Sequence, residues 1–277
     1  MRYIFLCIIS FIFLSMSYAN ETIAIGTIYT KEIKKKHLEF TALAKYLEKK
    51  LNRKNLKIDV LLHKNIKETI SSIHSDKLHI FIDSVYPTIL IQEKTNITIE
   101  SNRWKKGQEG YKSIVFVKIH SDIKTAKDLK GKTIAFEDMF STSGFYIPKL
   151  MLEKNALIIS NNNNQDNLKY VFAKTENNVQ SWVLYGKVDA GAASEKDFNE
   201  INKNHFKVIL KSELIPRNLV SFSQNIDFKL KQDILHILFT MHKNKEGKKV
   251  LKFFSKTAKF MPLNRDNIEF IKKYEND

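Results

Sequence analysis

The feature that most constrains this chain is an alternation of strand and helix that runs through residues 22–87 and restarts after a polar stretch at residues 101–110. Thr22 to Ile28 is a short apolar run of buried-strand length, closing on a Gly26-Thr27 turn. A helix follows, with Leu43, Ala44, Leu47 and Leu51 along one face and Lys45, Glu48 and Lys49 along the other. Ile58, Val60 and Leu62 alternate as a second strand, Ile66, Ile70 and Ile73 fall at helical spacing, and His79 to Ile82 reads as a third strand. Strands joined through helices make a largely parallel sheet with helices on its faces. Ligands of such sheets collect beyond the carboxyl ends of the strands, which puts Tyr29, Asp83, Ser84 and Tyr86 on the binding edge.

The second unit repeats the pattern. Ser113 to Val117, Thr133 to Phe136, Tyr170 to Ala173, Val188 to Ala192 and Lys207 to Leu210 are strands, with helices starting near Ser143 and spanning Asn178 to Tyr185. Helices including Ile234 to His242 and Lys248 to Phe254 close the chain. Two α/β units crossed by more than one segment make a hinged cleft. Lobe 1 is expected at 20–111 plus 214–277, and lobe 2 at 112–213.

Residues 1–19 read as an export signal. Arg2 supplies a positive start, residues 3–16 are almost wholly apolar, and Ser17-Tyr18-Ala19 presents small residues for cleavage after Ala19. The apolar run falls short of the roughly twenty residues that a membrane span needs. Cys7, the only cysteine, lies within it and is poorly placed for lipid attachment, so the exported chain has no disulfide and no thiolate ligand. The net charge of +16 fits nucleic acid, anionic lipid or anionic solutes as partners. The lysines, however, are spread along the whole chain among many Asn and Ile residues, as a solvated basic surface would be. No nucleic-acid partner is expected.

The stretch most informative about function is Glu137-Asp138-Met139-Phe140-Ser141-Thr142-Ser143-Gly144-Phe145, which leaves a strand and opens a helix. Hydroxyl side chains beside free N–H groups at a helix N-terminus bind anions, helped by the helix dipole. The same residues equally suit a plain helix cap.

Five segments in order resemble the phosphonate-type substrate-binding proteins of ABC importers. They are Gly110-Tyr111-Lys112-Ser113, Asp128-Leu129-Lys130-Gly131-Lys132, Ser141-Thr142-Ser143-Gly144-Phe145 with Pro148, Gly186-Lys187-Val188-Asp189-Ala190, and Lys211-Ser212-Glu213-Leu214-Ile215-Pro216. The resemblance implies the type II periplasmic-binding fold, two α/β lobes closing on a ligand across a two-segment hinge. It implies that Ser141, Thr142 and Ser143 hold the oxyanion, that Tyr111 reaches the ligand from a crossing segment, and that Glu195 holds an amino group. Glu176 stands where similar proteins carry a histidine, and Asn218 where they carry a second amine-binding acid. These departures support the oxyanion end of the ligand and weaken the case for an aminophosphonate.

Tyr29, Ser84 and Tyr86 complete the expected lining, and Arg217 reads as a surface arginine. No enzyme is expected: there is no Gly-x-Ser-x-Gly elbow and no histidine near the hydroxyls. None of the eight histidines makes a His-x-x-x-His pair, and His236 reads as a packed core residue, so neither metal nor cofactor is expected. The expected partners are a small oxyanion (phosphonate, phosphite or phosphate ester) and the permease of an ABC importer, or alternatively a membrane sensor protein. The protein is expected to be a periplasmic monomer.

Overall fold

Twin sheets answer the two sequence units. A computed structural model describes residues 21–29, 32–105, 107–162, 164–199, 204–266 and 268–269; the export segment with Cys7 lies outside them. The first unit runs β1 (Glu21–Ile28), α1 (Ile33–Leu51), β2 (Leu56–His63), α2 (Ile66–His74), β3 (Ile80–Asp83), α3 (Val85–Gln92) and β4 (Thr98–Lys105). A short crossing strand, β5 (Gly110–Tyr111), leads to the second unit. That unit is β6 (Ser113–Lys118), β7 (Thr133–Phe136), α4 (Ile147–Lys154), β8 (Lys169–Phe172), α5 (Glu176–Leu184), β9 (Ala190–Ser194), α6 (Glu195–Asn199) and β10 (Phe206–Lys211). The chain returns through β11 (Ile215–Pro216) and β12 (Leu219–Phe222) and ends in α7 (Phe228–Thr240), α8 (Lys245–Phe253) and β13 (Thr257–Pro262).

The sheets have the orders β13-β4-β12-β3-β1-β2 and β10-β6-β9-β7-β8. In the first, β1 pairs in parallel with β2 and β3, while β12 enters antiparallel between β3 and β4. In the second, β7 is parallel to β8 and β9, and β6 lies antiparallel to β9 and β10. The two crossing segments pair only with each other, Tyr111 with Ile215 and Gly110 with Pro216. The type II periplasmic-binding architecture follows: two α/β lobes, a two-segment hinge and a cleft.

Several sequence expectations change. The polar stretch at 101–110 was expected to divide the units, yet its first half is buried β4, with Ser101, Asn102 and Arg103 at 0%, 0% and 7% exposure. Strands on both sides satisfy its backbone, so polar side chains can lie inside the sheet. Gly26 is no turn: it lies within β1, where an added Cβ would sit 2.2 Å from the Leu61 carbonyl oxygen. His236 is exposed rather than packed, because α7 buries Leu230, Ile234, Leu235 and Leu238 instead.

Lobe 1 is held by a core in which Phe222 of β12 meets α1 and α7 through residues such as Phe40, Leu47, Leu230 and Ile234, all at most 2% exposed. Phe222→Ala leaves a ring-sized void there and is expected to lower stability by about 3–5 kcal/mol. Urea unfolding checks this as a lower midpoint at unchanged slope.

Candidate functional site

The parallel strands of both sheets aim their carboxyl ends at one cavity of about 350 Å³. Thr27 and Ile28 come from the end of β1, and Asp83 and Ser84 from the end of β3. Glu137, Asp138 and Ser141 to Ser143 follow β7; Tyr111 and Asn218 belong to the hinge, and Lys36 to α1. The cleft therefore lies where a doubly wound sheet leaves space between diverging strand ends.

Ser141, Thr142 and Ser143 open a single π-helical turn, Thr142–Tyr146, that runs into α4. Ser141 acts as the cap. Its Oγ accepts from the Gly144 N–H at 2.9 Å and donates to Glu137 Oε2 at 2.8 Å. The Thr142 hydroxyl accepts from the Tyr86 N–H at 3.0 Å, tying α3 of lobe 1 to lobe 2. The N–H groups of Thr142 and Ser143 have no acceptor among the described residues, and Ser143 lines the cleft. The turn's unpaired donors are thus these two amides, rather than all three side chains, and the Ser143 hydroxyl lies against the Tyr111 phenol.

Asp83 anchors the opposite wall. Its Oδ2 accepts from Thr27 Oγ1 at 2.8 Å and from the Ile28 N–H at 3.0 Å; its Oδ1 accepts from the Ser84 N–H at 2.7 Å and from Ser84 Oγ at 3.3 Å. Burial pushes the Asp83 carboxyl above its ordinary range, opposed by those donors and by Lys36. Burial also pushes the Tyr111 phenol up to about 12, opposed by the neighbouring Ser143 hydroxyl and the Arg217 charge. Tyr111 is therefore a neutral donor at any physiological pH.

The structure brings together Ser141, Thr142, Ser143, Tyr111, Ser84 and Asn218 on the cleft lining. Four other expected residues take different positions. Tyr29 donates its backbone N–H to the His63 carbonyl at 2.9 Å and is not on the lining. The Tyr86 ring stacks on Tyr146, with centroids 3.9 Å apart, and is occupied as a bridge between lobes. Glu176, first residue of α5, accepts the Ser194 N–H at 3.0 Å and is not on the lining, although its charge reaches Tyr111. Glu195 pairs with Lys211 at 2.5 Å and lines a separate pocket that shares only Tyr111 with the cleft.

Arg217 is not a plain surface residue. It is half-buried, its guanidinium lies 4.8 Å from the Tyr111 ring centroid, and its Nε and Nη2 are sealed from solvent without a hydrogen-bond partner. Arg103 escaped notice because it sits in a strand whose polar letters hide its burial. It donates through Nη2 to Asn218 Oδ1 at 2.5 Å, and burial lowers its pKa to about 10 with help from the Arg217 charge. Lys36 and Thr27 also went unnoticed, since no local motif marks them. Among the described residues, no group of three or more His, Cys, Asp or Glu is placed to hold a metal ion, and no helix is long and apolar enough to cross a membrane.

Comparison with solved structures shows the same fold. The chain superposes on the XAC2383 protein of Xanthomonas citri bound to chloride ion with a TM-score of 0.82 at 18% identity, covering 91% of this chain and 95% of that one. PhnD1 of Prochlorococcus marinus, in complex with methylphosphonate, gives a TM-score of 0.67 at 16% identity over 93% of this chain and 99% of that one. A binding protein component of an ABC phosphonate transporter from Pseudomonas aeruginosa gives 0.67 at 20% identity, covering 92% and 86%. The family model for the periplasmic substrate-binding protein of phosphonate ABC transporters matches residues 27–268. The chain therefore belongs to the periplasmic substrate-binding proteins of phosphonate-type ABC transporters, non-enzymatic proteins that bind a small solute and work with a membrane permease.

Proposed function

We propose that the cleft captures a small oxyanion of the phosphonate, phosphite or phosphate-ester class, and that the protein performs no chemistry on it. The observation that carries this reading is the pair of unpaired N–H groups at Thr142 and Ser143, which open a helix on the cleft wall. Such donors hold negative charge through hydrogen bonds worth about 1.5–3 kcal/mol each, and the helix dipole adds to them. The Ser143 hydroxyl, Tyr111 and Ser84 complete the proposed grip, with Thr142 and Ser141 shaping the turn. Tyr29, Tyr86, Glu176 and Glu195 are left out of it.

The lobes are proposed to divide at 20–111 plus 214–277 and at 112–213, in line with the sheet that occupies 113–211. Residues 1–19 are proposed to direct export and to be cleaved after Ala19. A monomer suffices, since one chain supplies the whole cleft lining. No observation favours a sensing role, and it is set aside.

Thermal shift against methylphosphonate, phosphite, a phosphate monoester and a sulfonate tests the reading. A ligand at about 100 times its dissociation constant stabilises by about 2.7 kcal/mol. Ser143→Ala is expected to weaken binding about tenfold or more without changing the melting temperature of the unliganded protein. Ser141→Ala, by contrast, is expected to lower that temperature through loss of a cap worth about 1 kcal/mol. Equal ligand shifts in Ser143→Ala and the parent protein count against the site. An absence of any shift from all four compounds counts against the ligand class.

A further inference from the structure

Beside the hinge end of the cleft lie two arginines, neither of them on its lining, whose guanidinium nitrogens include three without a hydrogen-bond partner. Asn218 lines the cleft, and its Oδ1 is taken by Arg103 Nη2, so the amide is held with its NH₂ group as the donor left for the cavity. Arg103 is 7% exposed, and its Nε has no partner. Arg217 precedes Asn218, covers the cleft-lining Tyr111, and has two buried nitrogens without partners. Neither guanidinium has a carboxylate oxygen within 4.0 Å among the described residues.

The acids that act on Arg103, Glu39 and Asp83, offset part of its charge without hydrogen-bonding to it. Glu39 accepts from Ser255 Oγ at 2.7 Å, Asp83 is filled by its four donors, and Glu176 serves the Ser194 amide. Glu137 accepts from Ser141, and the Phe140 N–H occupies Asp138 Oδ1 at 2.8 Å. A buried guanidinium N–H left without an acceptor is unfavourable, and the two cations repel each other. An anion supplies the acceptor and relieves the repulsion.

We infer that Arg217, Asn218 and the positioning residue Arg103 form a second anion-recognition point at the hinge end of the cleft, matched to a ligand with a negatively charged group at each end. This inference rests on the oxyanion reading of the Ser143 turn, because the first charge of the ligand sits there. A short phosphonocarboxylate has the required chemistry: its phosphonate meets the turn and its carboxylate meets the hinge. A cavity of about 350 Å³ has room for both groups. The two donor sets stand on different elements, the turn after β7 and the β11–β12 segment, so one compact oxyanion does not have to satisfy both.

Titration of the purified protein with methylphosphonate, phosphonoacetate and 2-aminoethylphosphonate at one pH and ionic strength tests the inference. Phosphonoacetate is expected to bind at least tenfold more tightly than methylphosphonate, and 2-aminoethylphosphonate more weakly than either. Arg217→Gln is expected to erase the advantage of phosphonoacetate, to change methylphosphonate affinity by less than about threefold, and to leave unliganded stability equal or higher, because one of two repelling charges is gone. Asn218→Asp gives Arg103 an ion-pair partner and is expected to raise the melting temperature while weakening phosphonoacetate at least tenfold. Binding of 2-aminoethylphosphonate as tightly as phosphonoacetate overturns the inference, and so does an unchanged preference in Arg217→Gln. If no phosphonate binds the parent protein, the oxyanion reading itself fails and takes the inference with it.

Discussion

Gly110→Val is expected to destabilise the protein by more than about 4 kcal/mol, the range reached only by overpacking or comparable defects. A Cβ at position 110 would lie 2.3 Å from the Ile215 carbonyl oxygen and 2.9 Å from Leu214 Cγ. The first contact is with backbone, and the backbone at Ile215 is fixed by its pairing with Tyr111. No side-chain rotation relieves it, so the two hinge strands must separate. With about 2–4 °C per kcal/mol for a chain of this size, the melting temperature should drop by about 10 °C or more. Gly107→Ala is the control. It meets nothing within 4 Å and bears only the strain of a φ of +76°, so its loss should be near 1 kcal/mol. A Gly110→Val protein that melts with the parent would show that the hinge strands are not paired as described.

Asp83→Ala comes next in size, at about 3–5 kcal/mol. The carboxylate collects four donors, and an alanine leaves the Ile28 and Ser84 amides and the Thr27 hydroxyl facing a cavity. Each buried donor left unsatisfied costs about 1–3 kcal/mol, and local relaxation recovers part of the sum. The same residue adds a pH term. Burial raises its folded pKa above the reference value of 3.8, so the folded state holds that proton more tightly than the unfolded chain does. Its contribution to stability therefore rises as pH falls through the folded pKa, and above that value the protein bears the penalty of the buried charge. Asp83→Asn cannot titrate. The stability gap between parent and Asp83→Asn should widen in favour of the parent between pH 7 and pH 4, as followed by urea midpoints. A gap that is constant or narrows over that interval would show that Asp83 is not the group whose proton is held.

The alternation of strand and helix was legible because each local period reports its own burial. Leu43, Ala44 and Leu47 of α1 announce a covered face wherever their partners come from. What could not be read were pairings made at long range. Strand β12 is four residues long and joins β3 and β4 across more than a hundred residues of chain, and no local period encodes that insertion. Strand β4 was hidden by its own composition, since Ser101, Asn102 and Arg103 are polar letters in a buried strand. The site divides in the same way. The Ser141–Ser143 turn is a local motif, and it was visible. The guanidinium of Arg217 has meaning only against Tyr111 and Arg103, which reach it through the pairing of the hinge and of β4 with β12.

The Tyr86 bridge bears on how such a carrier unloads. Its ring stacks on Tyr146 at 3.9 Å, and its amide donates to the Thr142 hydroxyl at 3.0 Å, both contacts joining lobe to lobe. A stacked pair is worth about 0.5–1.5 kcal/mol beyond its buried area, and a hydrogen bond about as much again. Where opening of the lobes separates both contacts, together they bias the open–closed equilibrium by roughly five- to 150-fold toward closure before any solute adds its share. The solute then retains more of its own binding energy as affinity, and the carrier holds it at lower concentrations. A permease that opens such a cleft then has a tyrosine stack to part as well as a ligand cage, and delivery would work against a spring that the carrier itself supplies.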